Sequence, residues 1–290
     1  MREDATSRTA LIVAFARGLA TEEPALAPIC QDPCAVALLP RRLSGALRLA
    51  IRTGTTTALR TASGGLVDHL ALRTGLIDRA VAQAVAEGTR QVVVLGAGLD
   101  ARAHRLDALA EATVFEVDHP ATQAHKRRAA SALAVRARSL RYVACDFEGD
   151  ALERALAASG FDPDAPTVWI WEGVPMYLPE VAVRATLAAL ARLSAEGSLL
   201  IATYVTPQLV SAGPRIGRVL LRLFDRLEEP IRYTATPDDF AARLAEAGFF
   251  VLTDAAPKDA APYYGVERHR PTSLTPAERI VVATQRGASS

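Results

Sequence analysis

The chain has 290 residues, half of them apolar and 22% charged, which is enough apolar surface for one large folded core. Its 33 basic and 32 acidic residues leave a net charge of +1, without the cationic surplus that binding many phosphates requires, so nucleic acid is not an expected partner. Cys30, Cys34 and Cys145 make neither an even disulfide framework nor a zinc cluster, and no window is apolar enough to span a membrane. A cytoplasmic chain without stable membrane insertion is expected, since MREDATSRTA also lacks the apolar run of a secretory leader.

Residues 1–88 read as a helical cap, with Ala, Leu and Arg recurring at helical spacing. The last helix of the cap is placed at 65–87, with Leu66, Leu70, Ile77, Val81 and Val85 near one face and Gly88 as its stop. The core is expected over 89–290, beginning at QVVVLG (91–96), a β-branched run ended by glycine of the kind a strand buried on both faces needs. Further strands are expected at 113–118, 141–146, 167–172 and 198–204, separated by helical segments, which predicts βαβ units in a doubly wound, mostly parallel sheet. Thr236, Pro237 and Asp239 form a helix start. Strands at 249–254 and 279–285 follow without a convincing helix between them and predict an antiparallel hairpin added to the sheet.

Candidate ligand-binding residues cluster where strands end. Gly96 and Gly98 permit a sharp turn and a close ligand approach. Asp118, 20 residues beyond Gly98, ends the second strand, where a carboxylate can accept both hydrogen bonds of a ribose diol. The turn also satisfies the dinucleotide fingerprint, with Ala101 in third place, so these two features alone admit NAD as readily as S-adenosylmethionine (SAM). Asp146 beside Phe147 after the third strand, and Glu172 after the fourth, add two acids at the same sheet edge. An acid-lined crevice suits the sulfonium and ammonium of SAM and repels the pyrophosphate of NAD.

The runs LRTGLID (72–78), QVVVLGAGLDARAHRL (91–106), VFEVDHP (114–120), CDF (145–147) and WEGVPMYL (171–178) resemble the leucine carboxyl methyltransferase-like SAM-dependent methyltransferases, a family that includes bacterial polyketide O-methyltransferases. The resemblance implies a Rossmann-like class I methyltransferase core. It implies further that Arg73 clamps the methionyl carboxylate, Gly96 and Gly98 pass beneath the cofactor, Asp118 holds the ribose, Asp146 and Phe147 frame the adenine, and Glu172 lies near the methionine end. The chain departs from the family pattern at Gly75, where a second arginine is common, and at Val205, where an acid often follows the tyrosine.

The expected activity is methyl transfer from SAM to a carboxyl or phenolic hydroxyl of a small molecule, a polyketide-like secondary metabolite. A carboxylate nucleophile is already ionised and needs no base, whereas a phenol benefits from one. Among the histidines at 69, 104, 119, 125 and 269, His104 and His119 read first as packing or surface residues. Tyr204, at the end of the fifth strand, is read as either an acceptor-orienting hydroxyl or a core aromatic. Residues 205–235 form a candidate lid, with an apolar, arginine-rich stretch at 215–227. Two alternatives stay open: a SAM-binding enzyme of this fold that promotes a rearrangement without methylating, and an NAD-dependent oxidoreductase.

Overall fold

A computed structural model describes residues 7–146, 152–211, 230–264 and 277–285. Seven strands form a single sheet: β1 (Gln91–Leu95), β2 (Thr113–Asp118), β3 (Ser139–Ala144), β4 (Thr167–Trp171), β5 (Leu199–Val205), β6 (Phe249–Ala255) and β7 (Glu278–Gln285), in the order β3-β2-β1-β4-β5-β7-β6. The first five are parallel, and β7 lies antiparallel to both β5 and β6. The expected doubly wound sheet with an antiparallel terminal pair is therefore observed. β7 enters between β5 and the edge strand β6, and a 3-10 stretch at Pro257–Tyr264 precedes it where no helix was expected.

A group of helices precedes the sheet: α1 (Arg8–Thr21), α2 (Ala35–Leu38), α3 (Arg41–Thr53), α4 (Thr56–Ala62) and α5 (Leu66–Ala86). Apolar residues of α1, α2 and α3 pack with the start of α5, whereas Ile77, Val81, Ala84 and Val85 further along α5 pack on the sheet. Short α6 (Arg102–Arg105) and α7 (Pro120–Ala129) follow β1 and β2. After β3 and β4 come α8 (Leu152–Ala158) and α9 (Glu180–Arg192), and after β5 come α10 (Gln208–Ser211) and α11 (Pro237–Glu246). Thr236 caps α11, its Oγ1 accepting from the amide of Asp239 at 3.2 Å, and Gly248 follows with φ +80°.

Because side chains alternate across a strand, each strand divides its residues between two faces. Val92, Val94, Val114, Val168, Ile170 and Ile201 meet α5 on one face. Val93, Leu95, Phe115, Trp169, Trp171 and Leu200 meet α8, α9 and α11 on the other. By the same alternation Glu116, Asp118, Glu172 and Val205 belong to the α5 face and Tyr204 to the opposite one. Below Asp118 on that face, the buried Glu116 pairs with Lys126 of α7 at 2.6 Å.

Of the two readings of Tyr204, its surroundings match the core aromatic. Tyr204 is fully buried, stacks on Phe240 of α11 with ring centroids 4.3 Å apart, and donates its hydroxyl to Asp254 of β6 at 2.6 Å. Burial and this carboxylate push the phenol well above its usual pKa, so it is a structural hydroxyl rather than a base. Tyr204→Phe is expected to lower stability by about 1–3 kcal/mol, since it removes a buried hydrogen bond to a charged group. Urea unfolding checks this, and an unchanged midpoint contradicts the structural assignment.

Candidate cofactor site

The site lies where the strand order reverses, outside the carboxyl ends of β1 and β4, the usual crevice of open α/β sheets. The turn after β1 needs both of its glycines. Gly96 has φ +64°, and a Cβ there would collide with Cγ2 of Val174. Gly98 has φ +48°, and a Cβ there would lie 3.3 Å from the Cβ of Ala10, so α1 rests on the turn. The amide of Gly98 donates to Oδ2 of Asp118 at 2.5 Å, tying the tips of β1 and β2 together. Asp118 also accepts from the amide of His119 at 2.7 Å, while burial raises its pKa against these bonds.

Glu172, just past β4, bridges two arginines. Its Oε1 accepts from Arg73 Nε at 2.9 Å and its Oε2 from Arg102 Nη2 at 2.8 Å. Arg102 is fully buried and also donates to Asp78 at 2.7 Å and to Asp100. Arg73 donates from Nη1 to Glu278 of β7 at 2.8 Å. Its Nη2 faces Gly173 at the tip of β4, 4.0 Å from an ideal Cβ there. Burial alone would lower the Arg73 pKa, but Glu278 and Glu172 outweigh it and hold it above its ordinary value. Burial would likewise raise Glu172, yet Arg102 and Arg73 keep it below the usual carboxylate range.

Five of the sequence-predicted residues, Arg73, Gly96, Gly98, Asp118 and Glu172, thus surround one crevice. Asp146 is exposed just past β3, and Phe147 lies outside the described residues, as does the 215–227 stretch of the candidate lid. The C-terminal flank of that insertion is held by backbone bonds, the amides of Arg232 and Tyr233 donating to the carbonyl of Met176 and that of Ala235 to the carbonyl of Val205. The acids of the crevice are present but not bare. Glu172 is matched by two guanidiniums, because an unpaired carboxylate at this depth would carry a large desolvation penalty.

Sequence reasoning passed over Asp78, Asp100 and Arg102, although all three lie inside the runs that carry the family resemblance. It had no local signal for Glu278, and His69 entered only as one of five histidines. His119 caps α7, its Nδ1 accepting from Ala121, and His104 Nδ1 lies 3.1 Å from the carbonyl of Ala134, as packing and capping roles require.

The ion pairs predict acid sensitivity. Burial would raise the pKa of Glu278, but Arg73 and His69 bring it down from 4.5 to about 2, and Asp78 and Glu172 are lowered as well. Groups whose folded pKa lies below the unfolded one stabilise fully above the unfolded value and lose that contribution as pH falls through the folded one. Stability is therefore expected to decline from about pH 4.5 toward about pH 2, by roughly 3 kcal/mol from Glu278 alone. Urea midpoints measured across this range check it, and a flat profile contradicts it.

Comparison with known proteins supplies the family. A family model, "Leucine carboxyl methyltransferase", matches residues 10–191. A Streptomyces coelicolor protein named "Putative S-adenosyl-L-methionine-dependent methyltransferase" is 36% identical over 262 residues, covering 85% of this chain and 82% of that protein. A Mycobacteroides abscessus protein with the same description is 35% identical over 269 residues, covering 85% and 84%. In fold, the chain is similar to the crystal structure of a DUF574 family protein from Streptomyces avermitilis, with TM-score 0.63 and 17% identity, covering 97% of this chain and 98% of that one. With residues 10–191 matched and relatives above one-third identity along most of its length, the chain belongs to the leucine carboxyl methyltransferase family and is a SAM-dependent methyltransferase.

Proposed function

We propose that this methyltransferase transfers the methyl group of SAM to oxygen, a carboxylate or a phenolic hydroxyl, on a small apolar acceptor such as a polyketide-like secondary metabolite. The observation that carries this reading is an apolar group at the tips of β4 and β5. Met176, Val205, Leu209 and Ala277 are buried together there, with Tyr177 and Ile231 against them. Such a wall accommodates an apolar skeleton and keeps water from the reacting atoms. The near-balanced charge of the chain favours a free acceptor over nucleic acid. No helix among the described residues is long and apolar enough to cross a membrane, which is compatible with work in the cytoplasm.

In this reading Arg73 takes the methionyl carboxylate through Nη2, and Glu172 lies by the ammonium. Asp118 holds the ribose diol over Gly96 and Gly98, while Asp146 and Phe147 frame the adenine. Bound SAM supplies a sulfonium-activated methyl carbon; a C–O bond forms as the C–S bond breaks, leaving a thioether. The protein's part is to hold the acceptor oxygen in line with that carbon. Tyr204 is committed to Asp254 on the other face, so it does not supply a free base. That favours the carboxylate, which is ionised at neutral pH and needs none. Family membership removes the nicotinamide oxidoreductase alternative.

Two measurements test the proposal. Asp118→Ala is expected to weaken S-adenosylhomocysteine binding about tenfold or more in calorimetry, as loss of a charged hydrogen-bond acceptor implies. Incubation with methyl-labelled SAM and aromatic or polyketide-like acids is expected to place label in an ester or ether. Label on nitrogen or carbon, or a changed product without label, rejects O-methylation, the latter in favour of a rearrangement.

A further inference from the structure

Glu278 opens β7, in register with Val205 at the tip of β5, so the antiparallel hairpin delivers a carboxylate to the cofactor crevice. It lies well beyond residue 191, where the family match ends. Its Oε1 accepts from Arg73 Nη1 at 2.8 Å, and its Oε2 meets Nε2 of His69. His69 and Arg73 are four residues apart on α5, one turn along a single face, so one carboxylate spans both. All three side chains are buried, and pairing is what makes such burial tolerable.

The consequence falls on Arg73. A guanidinium is a rigid plane, and two attachment points on different edges fix its orientation. Glu172 holds Nε from the β4 side and Glu278 holds Nη1 from the β7 side, which leaves Nη2 turned toward Gly173 and the crevice. His69 in turn fixes the second oxygen of Glu278, so the carboxylate cannot rotate away from the arginine.

We propose that Glu278 and His69 are positioning residues that set the Arg73 guanidinium to read the methionyl carboxylate of the cofactor. The inference rests on the reading of Arg73 given above. It makes the C-terminal hairpin part of the cofactor site and ties cofactor selection to a residue contributed from outside the matched family segment. Glu278 and His69 act through Arg73 and touch neither the methyl group nor the acceptor.

The test compares two ligands that differ in the amino-acid end alone. S-adenosylhomocysteine carries the methionyl-type carboxylate and methylthioadenosine lacks it, so their affinity ratio reports what Arg73 recognises. Calorimetry on Glu278→Gln is expected to show S-adenosylhomocysteine binding weakened by about ten- to hundredfold, with methylthioadenosine binding unchanged. His69→Leu is expected to lose part of the same ratio, and His69→Gln, which restores a donor, to recover it. Equal weakening of both ligands, or no change in the ratio, in either Glu278→Gln or His69→Leu overturns the positioning role. Should Glu278→Gln fail to fold, the His69 pair decides by the same criterion. If the wild type itself fails to distinguish the ligands while Asp118→Ala weakens both, the reading of Arg73 falls and this inference with it, whereas the ribose site stands.

Discussion

A continuous chain of buried ion pairs joins the parts of this molecule that meet at the cofactor crevice. Arg17 of α1 binds Asp32 at 2.8 Å, Asp32 approaches Arg105 at 3.8 Å, and Arg105 binds Asp78 of α5 at 2.6 Å. Asp78 binds Arg102, Arg102 binds Glu172, Glu172 binds Arg73, and Arg73 binds Glu278, which ends on His69. Each interior charge is shared by two neighbours, which offsets a desolvation cost that a single buried pair often fails to recover. Arginine suits this use because it is always protonated and its planar fork meets two or three carboxylates at once, as Arg102 does with Asp78, Asp100 and Glu172.

Apolar residues often fill such space with equal stability, so stability alone does not account for the ionic chain. Five carboxylates, Asp32, Asp78, Asp100, Glu172 and Glu278, face four guanidiniums along it. SAM carries a carboxylate, an ammonium and a sulfonium, so its net charge is positive at neutral pH. A crevice of fixed, alternating charges with a surplus carboxylate can meet each of these groups without reorganising when the ligand arrives. The same chain anchors α1 to the glycine turn, since Arg17 also donates to the carbonyl of Leu99 at 2.6 Å. The position of α1 and the geometry of the glycine turn therefore share one set of interactions.

This explains which parts of the molecule were legible in the sequence. Strands β1, β2, β4 and β5 announce themselves because both faces are covered and their residues are mostly apolar, with β-branched and aromatic side chains prominent. Helix α5 shows through its apolar stripe and Gly88, and α11 through Thr236 and Pro237. Asp118, Glu172 and the two glycines could be placed because each sits at a strand end, where position along the chain fixes position in space. Glu278, the second partner of Arg73, could not, since the Arg73–Glu278 bond spans 205 residues and leaves no local pattern. Tyr204 kept two readings for a different reason. Strand alternation gives its neighbour Val205 to the α5 face and Tyr204 to the other, and which face holds the crevice becomes known only once α5 is docked.

The two departures from the family pattern have distinct structural forms, and both concern the surroundings of the crevice rather than its cofactor-side charges. A Cβ on Gly75 would lie 2.6 Å from the carbonyl oxygen of Ile29 and 3.2 Å from the hydroxyl of Tyr264. The room a second arginine would need is thus filled by the chain before α2 and by the 3-10 stretch before β7, and only glycine lets these elements approach α5 so closely. Val205, where an acid is common, is buried with Met176, Leu209 and Ala277. Both substitutions remove a charge, and neither leaves a partner stranded, because Arg73 and Glu172 are completed by Glu278 and Arg102. The charged lattice and the apolar group around Val205 are thus built from separate residues, so a change in one need not disturb the pairing in the other.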